Sequence, residues 1–109
     1  MATRQSTVDF IVEQVEAAGN VSAKKMFGEY GIFVGDKMVA MVCDGQLFVK
    51  PTVAGREFAG DVVEGSPYPG AKPCFLISGD KWDDREWLTS LMRISAAELP
   101  TPKKKARRS

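Results

Sequence analysis

A chain of 109 residues, 44% apolar and 27% charged, is long enough for one domain with a single core and too evenly composed for a fibrous or low-complexity protein. The net charge of +1 conceals an asymmetry, because five of the 15 basic residues lie in the last seven positions and leave 10 bases against 14 acids, a formal −4, over residues 1–102. An acidic body disfavours nucleic-acid binding through the folded surface, and the absence of histidine excludes Ser-His-Asp and Cys-His catalysis and the usual zinc ligand sets.

Met1 to Ser6 lacks the apolar core of a secretory signal, which predicts a cytoplasmic protein. The first helix is predicted to open with Ser6 as N-cap and Asp9 as its acidic partner three residues on. Phe10, Ile11, Val15 and Ala18 are expected near its buried face, and Gly19-Asn20 ends it.

The apolar period then changes. Lys24 to Phe27 and Ile32 to Val34 suit two strands, Gly35-Asp36-Lys37 a turn, and Met38 to Cys43 a third strand. Asp44-Gly45 is a hairpin signal before Gln46 to Lys50, and Pro51 discourages continuation. Gly28 and Gly31 mark a bulge or a corner. Their spacing matches no phosphate-binding loop, and no helix start follows to hold an anion.

Thr52 to Ala59 reads as a short helix capped by Thr52 and weakened by Gly55. Gly60 to Lys72 reads as an extended loop around Tyr68, and Cys74 to Ser78 as a short strand. Asp80 to Asp84 supply caps for a last helix reaching about Ala97, with Trp87, Leu88, Leu91 and Ile94 as its apolar stripe; Pro100 and Pro102 stop it. The fold class is therefore α+β, a two-layer antiparallel sheet with helices on one face, in the order α-β-β-β(-β)-α-β-α. Residues 1–99 form the domain, and residues 100–109 are expected to be a disordered basic tail.

Candidate residues carry alternative readings. Cys43 and Cys74 sit among apolar neighbours and read as small hydrophobes, with a disulfide open to them if their strands pair. Phe27, Tyr30 and Phe33 read either as a base-stacking platform or as two core rings plus a turn tyrosine with its hydroxyl in water. Lys24, Lys25 and Lys50 form a positive patch if their strands are neighbours, or else discourage edge pairing. Asp80, Asp83 and Asp84 suit a helix start better than a divalent cation. Trp87 is assigned to the core, whereas Trp82 and Tyr30 are candidates for contact with a partner. Lys103, Lys104, Lys105, Arg107 and Arg108 are candidates for weak, salt-sensitive contact with phosphates. No catalytic group, cofactor or metal ligand set is expected.

Met26-Phe27-Gly28-Glu29-Tyr30-Gly31, followed by a hairpin over Ile32 to Val42, the Asp44-Gly45 turn and Leu47-Phe48-Val49-Lys50, resembles the amino-terminal domain of the TfoX/Sxy family of bacterial competence regulators. The resemblance covers roughly residues 6–97, and its specific part is residues 26–50. The positions that carry it are Met26, Phe27, Gly28, Gly31, Asp44, Gly45 and Lys50, with Phe48 standing where the family has tyrosine. It implies helices packed on an antiparallel sheet and a regulatory role in transcription through contact with other proteins rather than catalysis. Full-length members carry a second, carboxy-terminal domain, so this chain is expected to be a stand-alone copy of the first, monomeric or homodimeric. The alternatives are a nucleic-acid accessory protein that uses the basic tail, and a small-ligand binder or enzyme with a pocket between sheet and helices.

Overall fold

Short apolar runs broken by Gly-Asp, Asp-Gly and proline steps build a sheet, and two longer stretches with helical periodicity close over it. The computed structural model describes residues 4–26, 29–60 and 62–99. A helix, α1 (Gln5–Val15), runs through a 3-10 turn (Glu16–Ala18) into four consecutive antiparallel strands: β1 (Val21–Met26), β2 (Glu29–Val34), β3 (Lys37–Cys43) and β4 (Gln46–Val49). The chain continues through α2 (Val53–Ala59), β5 (Val63–Gly65), β6 (Cys74–Ile77), the short α3 (Gly79–Trp82) and α4 (Arg85–Glu98). The sheet is open, ordered β1-β2-β3-β4-β6-β5, with every neighbouring pair antiparallel. This is the expected α+β class with one strand more than the sequence indicated.

The core lies on the helix-clad face. Ile32, Ala40, Val42, Leu47, Val49, Phe75 and Ile77 project from the strands toward Val8, Ile11 and Val15 of α1 and Leu88, Leu91, Met92 and Ala96 of α4. Strand alternation puts Gly31, Met41, Phe48 and Leu76 on the opposite face, where Cys43, Phe48 and Cys74 form a second, smaller cluster with Met41 and Leu76.

The helices differ in detail from the sequence expectation. α1 starts at Gln5 with Arg4 at the N-cap and no side-chain cap, so Ser6 sits inside the first turn. Gln5 is held from both sides, its amide donating to Asp9 Oδ1 (2.9 Å) and its carbonyl oxygen accepting from the Tyr30 hydroxyl (2.9 Å). Phe10 points outward, 38% exposed, and Val8 takes the buried place with Ile11 and Val15. In α4, Leu88, Leu91, Met92, Ser95 and Ala96 are buried in the i, i+3, i+4, i+7, i+8 pattern of a helix lying flat on a core, Thr89 is buried beside them, and Ile94 and Trp87 are half-buried.

The expected loop from Gly60 to Lys72 contains β5. Its three residues pair with β6 (Val63↔Leu76, Glu64↔Phe75, Gly65↔Cys74), a register supplied by the partner strand rather than by β5's own composition. The first strand also begins earlier than expected, at Val21.

The helical layer is pinned by capping across elements. Thr52 Oγ1 accepts from the Gly55 amide at the start of α2, and Glu98, the last residue of α4, accepts from the Val53 and Ala54 amides (2.9 Å each). One carboxylate thereby satisfies two donors that a helix start leaves without intrahelical partners. Gly55 is where α2 meets α4: a Cβ there would stand 2.5 Å from Thr52 Oγ1 and 3.1 Å from Ser95 Oγ. The residue that weakens α2 as a helix former is what permits the close approach.

Candidate interaction surfaces

The β3–β4 hairpin turns on Asp44 (φ 53°) and Gly45 (φ 73°), consecutive left-handed residues as a two-residue hairpin of primed type requires. Met26 ends β1 opposite Glu29, and Gly31 is buried in β2 between Lys24 and Met41. Phe27 and Gly28 lie outside the described residues, as do Lys103, Lys104, Lys105, Arg107 and Arg108 of the tail. The Lys50 amide donates to the Val39 carbonyl (2.8 Å) just beyond β4.

Several candidate groupings come apart. Tyr30 is a strand residue rather than a turn residue, and its hydroxyl is bonded to Gln5. Phe33 lies an odd number of positions on and faces the other way, beneath the Lys24 ammonium 5.4 Å from its ring centroid. Tyr30 and Phe33 therefore do not share one stacking platform. β2 and β3 separate Lys24 and Lys25 from Lys50, so the three lysines do not form one patch. β4 separates β3 from β6, which places Cys43 and Cys74 at least two strand spacings apart, roughly 9.6 Å, beyond the Cα separation a disulfide tolerates. Both thiols are free and buried. Burial first, then the Glu29 carboxylate, Cys74 and Asp44, push the Cys43 thiol up, and burial does the same at Cys74.

The acidic residues near α4 behave as helix-start groups. Asp84 Oδ1 accepts from the Trp87 amide (3.2 Å). A hydrogen bond from the Ser78 side chain, and then one from its own backbone, hold the Asp80 carboxyl below its ordinary range. Among the described residues, no group of three or more His, Cys, Asp or Glu is placed to hold a metal ion.

Trp82 is half-buried, its indole N–H donating to the Ile77 carbonyl (3.1 Å) and its own carbonyl accepting from the buried Gln14 amide (2.7 Å). Tyr30 and Trp82 meet α1 at Gln5 and Gln14, roughly 13 Å apart along its axis, so they do not belong to one surface. Trp87 packs on Phe58 (ring centroids 5.8 Å apart) with the Lys81 ammonium 5.1 Å from its ring.

Two surfaces remain open. The first runs along the β5–β6 edge, where Val63 (66% exposed) shares a shallow pocket with Lys81 and Trp87. The second is a groove of about 430 Å³ on the face of the sheet that the helices leave bare. Met38, Met41 and Cys43 of β3 line it with the Pro67-Tyr68-Pro69 segment, and Glu29 and Asp44 border it. Sequence reading missed this groove, since its parts lie up to 40 positions apart and only the fold brings Tyr68 over β3.

An open six-stranded antiparallel sheet clad by helices on one face defines a small α+β domain. Residues 13–99 match the TfoX N-terminal domain, and the chain belongs to that family. It is also similar to a protein of Spirochaeta aurantia described as an uncharacterized 12.7 kDa protein in the trpE 5′ region, 41% identical over 103 residues that span 94% of this chain and 89% of that protein. No helix among the described residues is long and apolar enough to cross a membrane.

Proposed function

We propose that this chain is a non-catalytic regulatory domain that acts in the cytoplasm by contacting another protein, a transcription regulator by analogy with the competence regulators of its family. The observation that carries the reading is the family match over residues 13–99. The β5 edge supports it, because Val63 is 66% exposed on an edge strand, and an exposed apolar side chain on an edge strand is a ready site for a partner. The chain's own chemistry supports the non-catalytic part: there is no histidine, and both thiols are shifted toward the protonated, poorly nucleophilic form. Capture from bacterial cytoplasm with the full chain, alongside Val63→Asp, is the test. The expected outcome is a transcription regulator retained by the wild type and lost with the variant. Recovery of the same proteins by both, or of none, counts against this surface.

A second reading rests on the basic run Lys103 to Arg108, which suits weak phosphate contact. Duplex DNA titrated at several salt concentrations, with and without residues 100–109, separates the two. Affinity unchanged by the deletion removes the tail from consideration.

A further inference from the structure

Three sulfur-bearing side chains of β3 come together on the bare face of the sheet. Strict alternation along β3 would point Met38 the same way as Ala40 and Val42, into the core. The β2–β3 register instead slips by one residue. Phe33 pairs with Met38 and Ile32 with Ala40, which leaves Val39 as the extra residue of a bulge. Val39 and Ala40 are both buried in the core, and Met38 is turned out to the groove, which it lines with Met41 and Cys43. Gly31 stands opposite Met41, so no side chain from β2 covers the middle of the row. Positions two apart on a strand are about 6.8 Å apart, a gap that unbranched methionine side chains close by rotating their three bonds.

The donor set is soft, and its charge matches one kind of ion. Thioethers and a thiolate select Cu(I), whereas Cu(II) and nickel favour imidazole, which this chain does not possess. Zinc takes thiolate, imidazole or carboxylate ligands, and Cys43 brings the groove one thiol alone. A single thiolate cancels the charge of a monovalent cation, so the pair can lie where Cys43 is 6% exposed without an uncompensated charge. The Pro67-Tyr68-Pro69 segment lines the same groove and restricts water at the sulfurs. Glu29 and Asp44 border it, but each has interactions of its own and neither belongs to the donor set.

We propose that Met38, Met41 and Cys43 bind one Cu(I) ion in the bare-face groove. Burial, then Glu29, Cys74 and Asp44, keep the Cys43 thiol protonated at neutral pH, so binding exchanges a proton for the metal. The S–H bond breaks, an S–Cu bond forms, the proton leaves to water, and the copper stays Cu(I). The site is on the opposite side of the sheet from the helices and does not rest on the partner-binding reading.

Cu(I) titrated into the full chain without oxygen tests it, with the methionine methyl groups followed by NMR and Ag(I) as a second probe that stays in one oxidation state. One equivalent of either ion is expected to shift the Met38 and Met41 methyl signals to saturation and to leave Met92, fully buried on α4, in place. Zn(II) should move none of the three. Met38→Leu combined with Met41→Leu keeps the apolar bulk while removing two donors. It should weaken Cu(I) binding at least about tenfold, read by competition with a coloured Cu(I) chelator. Cys43→Ser should abolish stoichiometric binding. A leucine pair that binds Cu(I) as tightly as the wild type would overturn the proposal, because capture by a thiol alone would then explain the binding. So would stoichiometric binding that survives Cys43→Ser, Met38 and Met41 signals that stay still as the first equivalent binds, a Zn(II) response equal to that of Cu(I), or no stoichiometric binding at all.

Discussion

The two faces of the sheet are built from the same strands and have different physical characters. On the helix-clad face, branched aliphatic side chains and Phe75 are fully buried beneath α1 and α4. On the other face, among the described residues, the Pro67-Tyr68-Pro69 segment borders a groove whose floor is methionine and cysteine, with buried Phe48 alongside. Close packing of branched side chains makes a rigid interior, whereas methionine beneath a thin cover leaves a surface that can accept another molecule. The burial that stabilises the fold is concentrated on the first face, and the second is left open.

The sharpest way to break this contrast is a set of three truncations. Phe75→Ala is expected to cost about 3–5 kcal/mol and Leu91→Ala about 2–5 kcal/mol. Met41→Ala, which removes a half-buried chain from an already open groove, is expected to cost about 1 kcal/mol. Urea denaturation reads all three, and a Met41 loss as large as that of Leu91 would mean that the bare face is part of the core.

Gly55→Ala sharpens the account of how the helical layer closes. Helix propensity alone would make alanine better by up to about 1 kcal/mol. The close approach to Thr52 and Ser95 predicts the opposite sign, a loss of about 1–3 kcal/mol. Stabilisation would show that α2 and α4 are not as closely apposed as described.

Gly45→Ala places a Cβ at φ 73° in the β3–β4 turn and is expected to cost about 1 kcal/mol. It leaves both faces untouched, so it calibrates the hairpin independently.

The smallest effect concerns Glu98. Hydrogen bonds from the Ala54 and Val53 amides hold its carboxyl below the ordinary 4.5. A carboxyl whose pKa is depressed by folding contributes stability that is present above its unfolded value and is lost as pH falls through the lower folded value. The wild type should therefore lose stability on acidification below about pH 4.5, and Glu98→Gln should flatten that part of the Tm–pH curve. Identical acid slopes for the two proteins would remove the cap between α4 and α2.

What could be read in the sequence depended on whether the signal was local. The Asp44-Gly45 turn, the Thr52 cap and the apolar runs of β3, β4 and β6 announce themselves in two to six residues, and the structure contains each of them. The start of α1 was misread because Gln5 is recruited by Tyr30, 25 positions away. β5 was missed because Val63-Glu64-Gly65 becomes a strand only by pairing with Cys74 to Leu76. The bare-face groove was invisible for the same reason: nothing near Tyr68 indicates that Met38 and Met41 will lie beneath it. The expectation of partner contact at Trp82 drew on residue type alone, and sequence had no way to display the indole's bond to Ile77 or the grip of Gln14 on its carbonyl.

Methionine-methyl NMR with a neutral, soluble paramagnetic agent probes both faces in one spectrum, because Met38 and Met41 line the groove while Met92 lies fully buried under α4. The two-faced sheet predicts broadening of the Met38 and Met41 methyl signals with Met92 untouched. Equal protection of all three, or a Met92 signal that broadens with the others, would contradict it.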